Sequence, residues 1–99
     1  MVGFTKSLAV EAGPDKVRVN CILPGIVEGE RIERVIAAKA QALGIAHEAM
    51  RARFLETTSL RSTVSAQDIA NMALFLCTEP GKRITGQALP VDADVRYLV

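Results

Sequence analysis

The sequence contains no tryptophan, one tyrosine, one histidine and two cysteines. Each shortage excludes something. Aromatic residues make up 4% of the chain and no basic block interrupts its mixed charges, which sum to +1. Neither the stacking platform nor the cationic track of a nucleic-acid binder is therefore present. No run reaches the roughly 18 consecutive apolar residues that a membrane span needs. The lone His47 has no Cys, His, Asp or Glu neighbours at ligand spacing, and Glu48 cannot complete a site alone. No metal is expected, and His47 reads as an exposed first-turn residue. Cys21 and Cys77 are far apart in apolar settings, so buried free thiols are expected rather than a disulfide. That fits a reducing, cytoplasmic compartment. Met1 leads straight into an amphipathic segment, with no charged-then-apolar leader. No Gly-x-Gly, no repeat and no low-complexity segment occurs.

What is present is core-forming sequence: 49% of the 99 residues are hydrophobic, enough for at most one small domain. The stretch VRVNCILPGIV, residues 17–27, organises the rest. Its short, β-branched, largely apolar run predicts a buried strand over 17–23. Pro24 cannot donate to a ladder and Gly25 tolerates unusual backbone angles, so the strand should stop at a bare turn. In open α/β sheets, ligands sit beyond the carboxyl ends of strands. Asn20, polar within an apolar strand, reads as a hydrogen-bonded core amide beside that crevice.

Helices are expected on either side. Residues 1–12 have helical apolar spacing, stop at Gly13-Pro14, and lack a capping residue at the start, as a helix cut through its middle would. Residues 30–43 place Ile32, Val35, Ile36, Ala40 and Leu43 on one stripe, with Gly44 as terminator. A second helix is expected over 46–56, with Met50 and Phe54 on one face. Ser65 to Asp68 has capping-box spacing and opens a helix to about Cys77. Its apolar residues cover nearly the whole circumference, which predicts burial on most sides. A last strand is expected over 87–91, with Pro90 marking a sheet edge.

Arg18-Val19-Asn20 with Pro24-Gly25-Ile26-Val27, the preceding GFTKSLAVEAGP, and ITGQALPVD at 84–92 together resemble the short-chain dehydrogenase/reductase family. The resemblance runs from residue 1 to about 92. It implies an α/β fold: the C-terminal part of a doubly wound, parallel, Rossmann-like sheet, with two parallel strands, crossover helices and a helical lid inserted at about 28–65. On this reading residues 1–99 are one fragment of a single oxidoreductase domain, roughly two to three times longer. The implied chemistry is hydride transfer between NAD or NADP and a small carbonyl or alcohol, such as a 3-oxoacyl thioester or a sugar-like ketone. The family's acid/base tyrosine, its lysine, its serine and its glycine-rich loop have no counterpart here. The only tyrosine is Tyr97, with no lysine after it. No catalytic residue is therefore assigned, and the chain alone is expected to be inactive.

The resemblance implies a cofactor-binding role for Pro24, Gly25, Ile26 and Val27, which would run along the nicotinamide carboxamide. It implies a substrate lid made of Ile32, Val35, Ile36, Leu43, Met50 and Phe54. The family often has a threonine where Gly29 stands, so that hydroxyl contact is missing. Val91-Asp92-Ala93-Asp94 replaces the family's Val-Asp-Gly-Gly and puts the usual tail path in question. The implied partners are a small-molecule substrate and further copies of the chain in a homo-oligomer. A second function class competes: a non-catalytic interaction module pairing with family members through the helices at 1–12 and 69–77. The reading frame upstream of Met1 discriminates the two.

Overall fold

A computed structural model describes residues 1–96. The order of elements is α1 (Val2–Ala12), a 3-10 turn (Gly13–Asp15), β1 (Cys21–Pro24), α2 (Glu30–Leu43), α3 (His47–Glu56), α4 (Ala66–Cys77), a second 3-10 turn (Glu79–Gly81) and β2 (Ala88–Val91). These group into two compact units. Among the described residues, no helix is long and apolar enough to cross a membrane.

The first unit comprises Met1–Leu23 and Gln67–Val91. It contains the parallel pairing of β1 with β2, joined where the Cys21 N–H donates to the Gln87 carbonyl at 2.9 Å. Both strands are shorter than the alternation of apolar residues predicts. The residues before β1 are held by side chains as well as by backbone, the Gly86 N–H donating to the Val19 carbonyl at 2.7 Å. Val19 N–H donates to Thr85 Oγ1 at 3.0 Å, and Asn20 Nδ2 donates to the Ile84 carbonyl at 3.0 Å. Asn20 Oδ1 in turn accepts from Gln87 N–H at 3.1 Å. Arg18 Nη1 reaches the Gly81 carbonyl at 3.0 Å. Asn20 is thus a structural amide that fastens one strand's approach to the other's.

Two expectations fail in this unit. α4 is not buried on most sides: Leu76 is its buried residue, while Leu74 is 64% and Phe75 44% exposed. A helix that is apolar all round needs cover all round, and two short strands with one other helix cannot supply it. Cys77, at the exposed end of α4, is a free thiol in contact with solvent, not a buried one. Cys21 is free and half-buried. α1 buries Thr5 and Ala9 and leaves Phe4 and Val10 exposed.

The second unit comprises Pro24–Ala66 and the described residues from Asp92 onward. Its core is the pairing of α2 with α3. Ile36, Ala40 and Met50 are buried there, with Ile32, Ile45 and Phe54 packed against them. Gly44 ends α2 in the left-handed conformation (φ 67°), as its position after the last apolar residue predicts. The tail bends through residues 92–94 and then runs beside residues 57–60. Arg96 N–H donates to the Thr57 carbonyl, Ser59 N–H to the Asp94 carbonyl, and Ser59 Oγ to the Asp94 carboxylate. Ala93 and Asp94 have φ of 56° and 59°, the angles that the family's two glycines would adopt freely. The Asp94 N–H donates to Asp92 Oδ1 at 2.8 Å, which helps to hold this otherwise disfavoured turn.

Candidate cofactor wall and lid

A cleft of about 590 Å³ lies within the second unit, lined by residues 24–32 together with Val35 and Phe54. The expected cofactor-binding residues Pro24, Gly25, Ile26 and Val27 form one side of it. Ile32 and Val35 enter from α2 and Phe54 from α3. The other expected lid residues do not line it. Ile36 and Met50 are 1% and 6% exposed, turned into the core between the two helices. Leu43 is 58% exposed, eleven residues and about 16 Å of helix beyond Ile32. One helical stripe therefore serves three purposes along its length: cleft, core and surface.

Two glycines in this wall are required for different reasons. A Cβ on Gly25 would lie 2.6 Å from the Cβ of Asp92 and 2.7 Å from its Cα. Gly25 is fixed by space. Gly29 has open space around it but φ 150° and ψ −176°, a region that essentially only glycine enters. Gly29 is fixed by its dihedral angles, and from there its carbonyl accepts the Glu33 N–H, starting α2.

Between the two glycines the chain pairs in parallel with Val64. Val64 N–H donates to the Ile26 carbonyl at 2.9 Å, and Glu28 N–H donates to the Val64 carbonyl at 2.8 Å. Successive peptide groups of an extended chain point to opposite edges. The N–H and C=O of Val27 are therefore directed away from Val64. A planar amide ligand needs such a donor and acceptor pair, so the backbone here fits a nicotinamide carboxamide.

Glu28, which lines the cleft, belongs to an ionic cluster that the sequence did not reveal. Arg51 on α3 donates to Glu33 Oε1 at 2.6 Å and to Glu28 Oε2 at 2.9 Å. Thr63 Oγ1 donates to the same Glu28 oxygen at 2.6 Å. The Arg51 hydrogen bond, followed by that of Thr63, holds the Glu28 carboxyl below the usual glutamate range, and Glu28 in return raises the Arg51 guanidinium. His47 Nε2 lies 3.2 Å from Glu33 Oε2, and its side chain is 41% exposed. Five residues spread over residues 28–63 meet at this point, and no local sequence spacing announces them. Among the described residues no group of side chains could hold a metal ion.

In doubly wound α/β proteins ligands sit beyond the carboxyl ends of parallel strands, and residues 25–32, which line this cleft, follow directly on the end of β1 in the chain. The family described as enoyl-(acyl carrier protein) reductase matches residues 1–94, and the chain belongs to the short-chain dehydrogenase/reductase family. A probable galactose dehydrogenase of Rhizobium meliloti is 37% identical over 95 residues, 96% of this chain and 34% of that protein. A short-chain dehydrogenase family protein from Francisella tularensis superposes with a TM-score of 0.86 at 28% identity, covering 93% of this chain and 38% of that one. L-sorbose reductase from Gluconobacter frateurii, solved with NADPH and L-sorbose, superposes with a TM-score of 0.83 at 26% identity, covering 99% of this chain and 38% of that one. The chain thus spans about a third of the length of the relatives it matches. Nicotinamide dinucleotides are the cofactors of solved relatives, both as NADPH and as NADH.

Proposed function

We propose that this chain forms the nicotinamide wall and substrate lid of an NAD(P)-dependent oxidoreductase acting on a small carbonyl or alcohol. The observation that carries the reading is the cleft itself, with the Pro24–Val27 backbone on one side and Ile32, Val35 and Phe54 on the other. When bound, the dinucleotide supplies or receives the hydride. The Val27 peptide would hold the carboxamide and fix which face of the ring is presented. The apolar side chains of α2 and α3 would cover the substrate and exclude water. Acid/base groups matching the family's tyrosine, lysine and serine are absent from residues 1–96, and Tyr97 lies outside the described residues. Hydride transfer would therefore depend on groups beyond this set. The substrate would be a sugar-like ketone or a 3-oxoacyl thioester, by analogy with the named relatives.

The test is NAD(P)H oxidation with a panel of such carbonyls. The protein expressed from its full reading frame is compared with residues 1–99 alone. Turnover by the former and none by the latter is expected. Turnover by the isolated chain would overturn the reading, as would a full-frame protein that binds neither dinucleotide. A second reading draws on the exposed apolar residues of the first unit, Val2, Phe4 and Val10 on α1 and Leu74 and Phe75 on α4. These suit contact with further copies in a cytoplasmic homo-oligomer, or with other family members in a non-catalytic role. Light scattering of the full-frame protein distinguishes a monomer from an oligomer.

A further inference from the structure

Phe54 belongs to two cavities at once. Its ring lines the larger cleft with Ile32 and Val35. It also lines a second cavity of about 260 Å³ with Lys39, Met50, Arg53 and Thr57. The side chain is half-buried against the α2–α3 core. Lys39 Nζ, on α2, stands 5.7 Å from the ring centroid, within range of a cation–π attraction. The backbone beneath is pinned as well: the Phe54 carbonyl accepts both the N–H of Thr57, at 3.1 Å, and its hydroxyl, at 2.6 Å. Phe54 thus borders both spaces, with Lys39 over its ring and Thr57 fastening the backbone that carries it.

We propose that Phe54 is the partition that sets the length of substrate this site accepts, an inference that rests on the oxidoreductase reading. With the ring in place, an alkyl chain entering past Ile32 and Val35 stops at Phe54. With the ring removed, the chain continues into a cavity floored by Met50, which is 6% exposed. That floor is apolar, and the stems of Lys39 and Arg53 line it while their charges reach water. The second cavity would therefore take an aliphatic tail. Lys39 acts as a positioning residue for the ring; its stem lines the second cavity, which a substrate enters only when the ring is gone.

The experiment uses the protein from its full reading frame and a homologous series of straight-chain methyl ketones, from butanone to dodecanone. For Phe54→Ala, the ratio of kcat/KM for long over short ketones should rise by about tenfold or more. Phe54→Trp should move the ratio the other way. Lys39→Met, which leaves the ring but frees one face, should shift the ratio in the same direction as Phe54→Ala by a smaller factor. A uniform loss across the series in Phe54→Ala, or an unchanged ratio in both ring variants, would overturn the proposal. If Phe54→Ala does not fold, the Trp and Met variants decide by their opposite shifts. A crystal structure of Phe54→Ala supplies a readout independent of turnover. Two cavities still separate there would refute the partition. Joined cavities in a protein that turns over no ketone and binds no dinucleotide would place the failure in the oxidoreductase reading and remove the length limit with it.

Discussion

The two units of this chain keep their shape by different means. In the first, Arg18 and Asn20 clip backbone to backbone, and large apolar residues such as Phe4 and Leu74 face outward. In the second, a helix pair encloses Ile36, Ala40 and Met50, and an ionic cluster ties that pair to residues 28 and 63. The first unit fixes register without covering its own apolar surface. The second encloses a core and a cleft from its own residues. The chemistry proposed for this chain sits in the unit that encloses its own cleft, and the surface proposed for assembly sits in the other.

Five substitutions, at four positions, break or sharpen that contrast. Gly25→Ala should do the most damage. A Cβ placed 2.7 Å from the Asp92 Cα meets backbone that cannot swing aside, and a loss of about 3 kcal/mol is expected from chemical denaturation. Asn20→Ala tests the clip of the first unit. It removes both hydrogen bonds and strands the Gln87 N–H, with an expected cost of about 2 kcal/mol. If Asn20→Ala proved as stable as the parent, the first unit would not depend on its polar clips.

Gly29 probes the wall without the core. Gly29→Ala has room for its methyl group but must hold φ near 150°, at about 1–2 kcal/mol of strain. Gly29→Pro cannot adopt that angle at all. In the full-frame protein it should impair cofactor-dependent turnover while circular dichroism shows the fold retained. Wild-type turnover together with wild-type cofactor affinity would show that Gly29 is neither pivot nor contact.

The smallest effect belongs to the ionic cluster. Glu28 has its pKa lowered in the folded state, so its contribution is present above the ordinary value of 4.5 and is lost as pH falls below it. The side chain is 43% exposed, so solvent screening limits the pair to about 0.5 kcal/mol. Glu28→Gln should lower stability slightly at neutral pH and flatten the acid limb of the stability profile below pH 4.5. An unchanged acid limb would remove Glu28 from the account.

α2 was legible to the residue, Glu30–Leu43, because its stripe and its terminal glycine are local signals. The turn expected at Pro24-Gly25 is not where the strand ends: Pro24 is the last residue of β1, and the chain bends only at Ile26, because a proline at a strand's end needs no ladder donor. The limits of the strands were not legible. Residues 17–20 alternate like a strand but pair only in part with backbone: the Val19 carbonyl accepts the Gly86 N–H, while the Val19 N–H goes to Thr85 Oγ1. The surroundings of α4 were misjudged because periodicity reports which sides of a helix are apolar and not what covers them. Of the six expected lid residues, three reach the cleft. A stripe fixes a direction around the helix axis but not where along it the neighbouring element ends. The cluster of Glu28, Glu33, Arg51 and Thr63 is tertiary and leaves no trace in spacing.

The fit of Gly25 against Asp92 carries a consequence for how such a contact can be detected. The atoms that exclude a side chain at position 25 are the Cα, Cβ and carbonyl oxygen of Asp92, which nearly every residue type possesses. Changing Asp92 to another amino acid therefore brings no relief to a side chain at 25. Substitutions at the two positions cannot compensate for one another, so they have no reason to co-vary. A pair in such close contact would be invisible to contact maps inferred from correlated substitution, and an alanine scan would report the contact at position 25, while at 92 it would report only the loss of the carboxylate that accepts the Asp94 N–H.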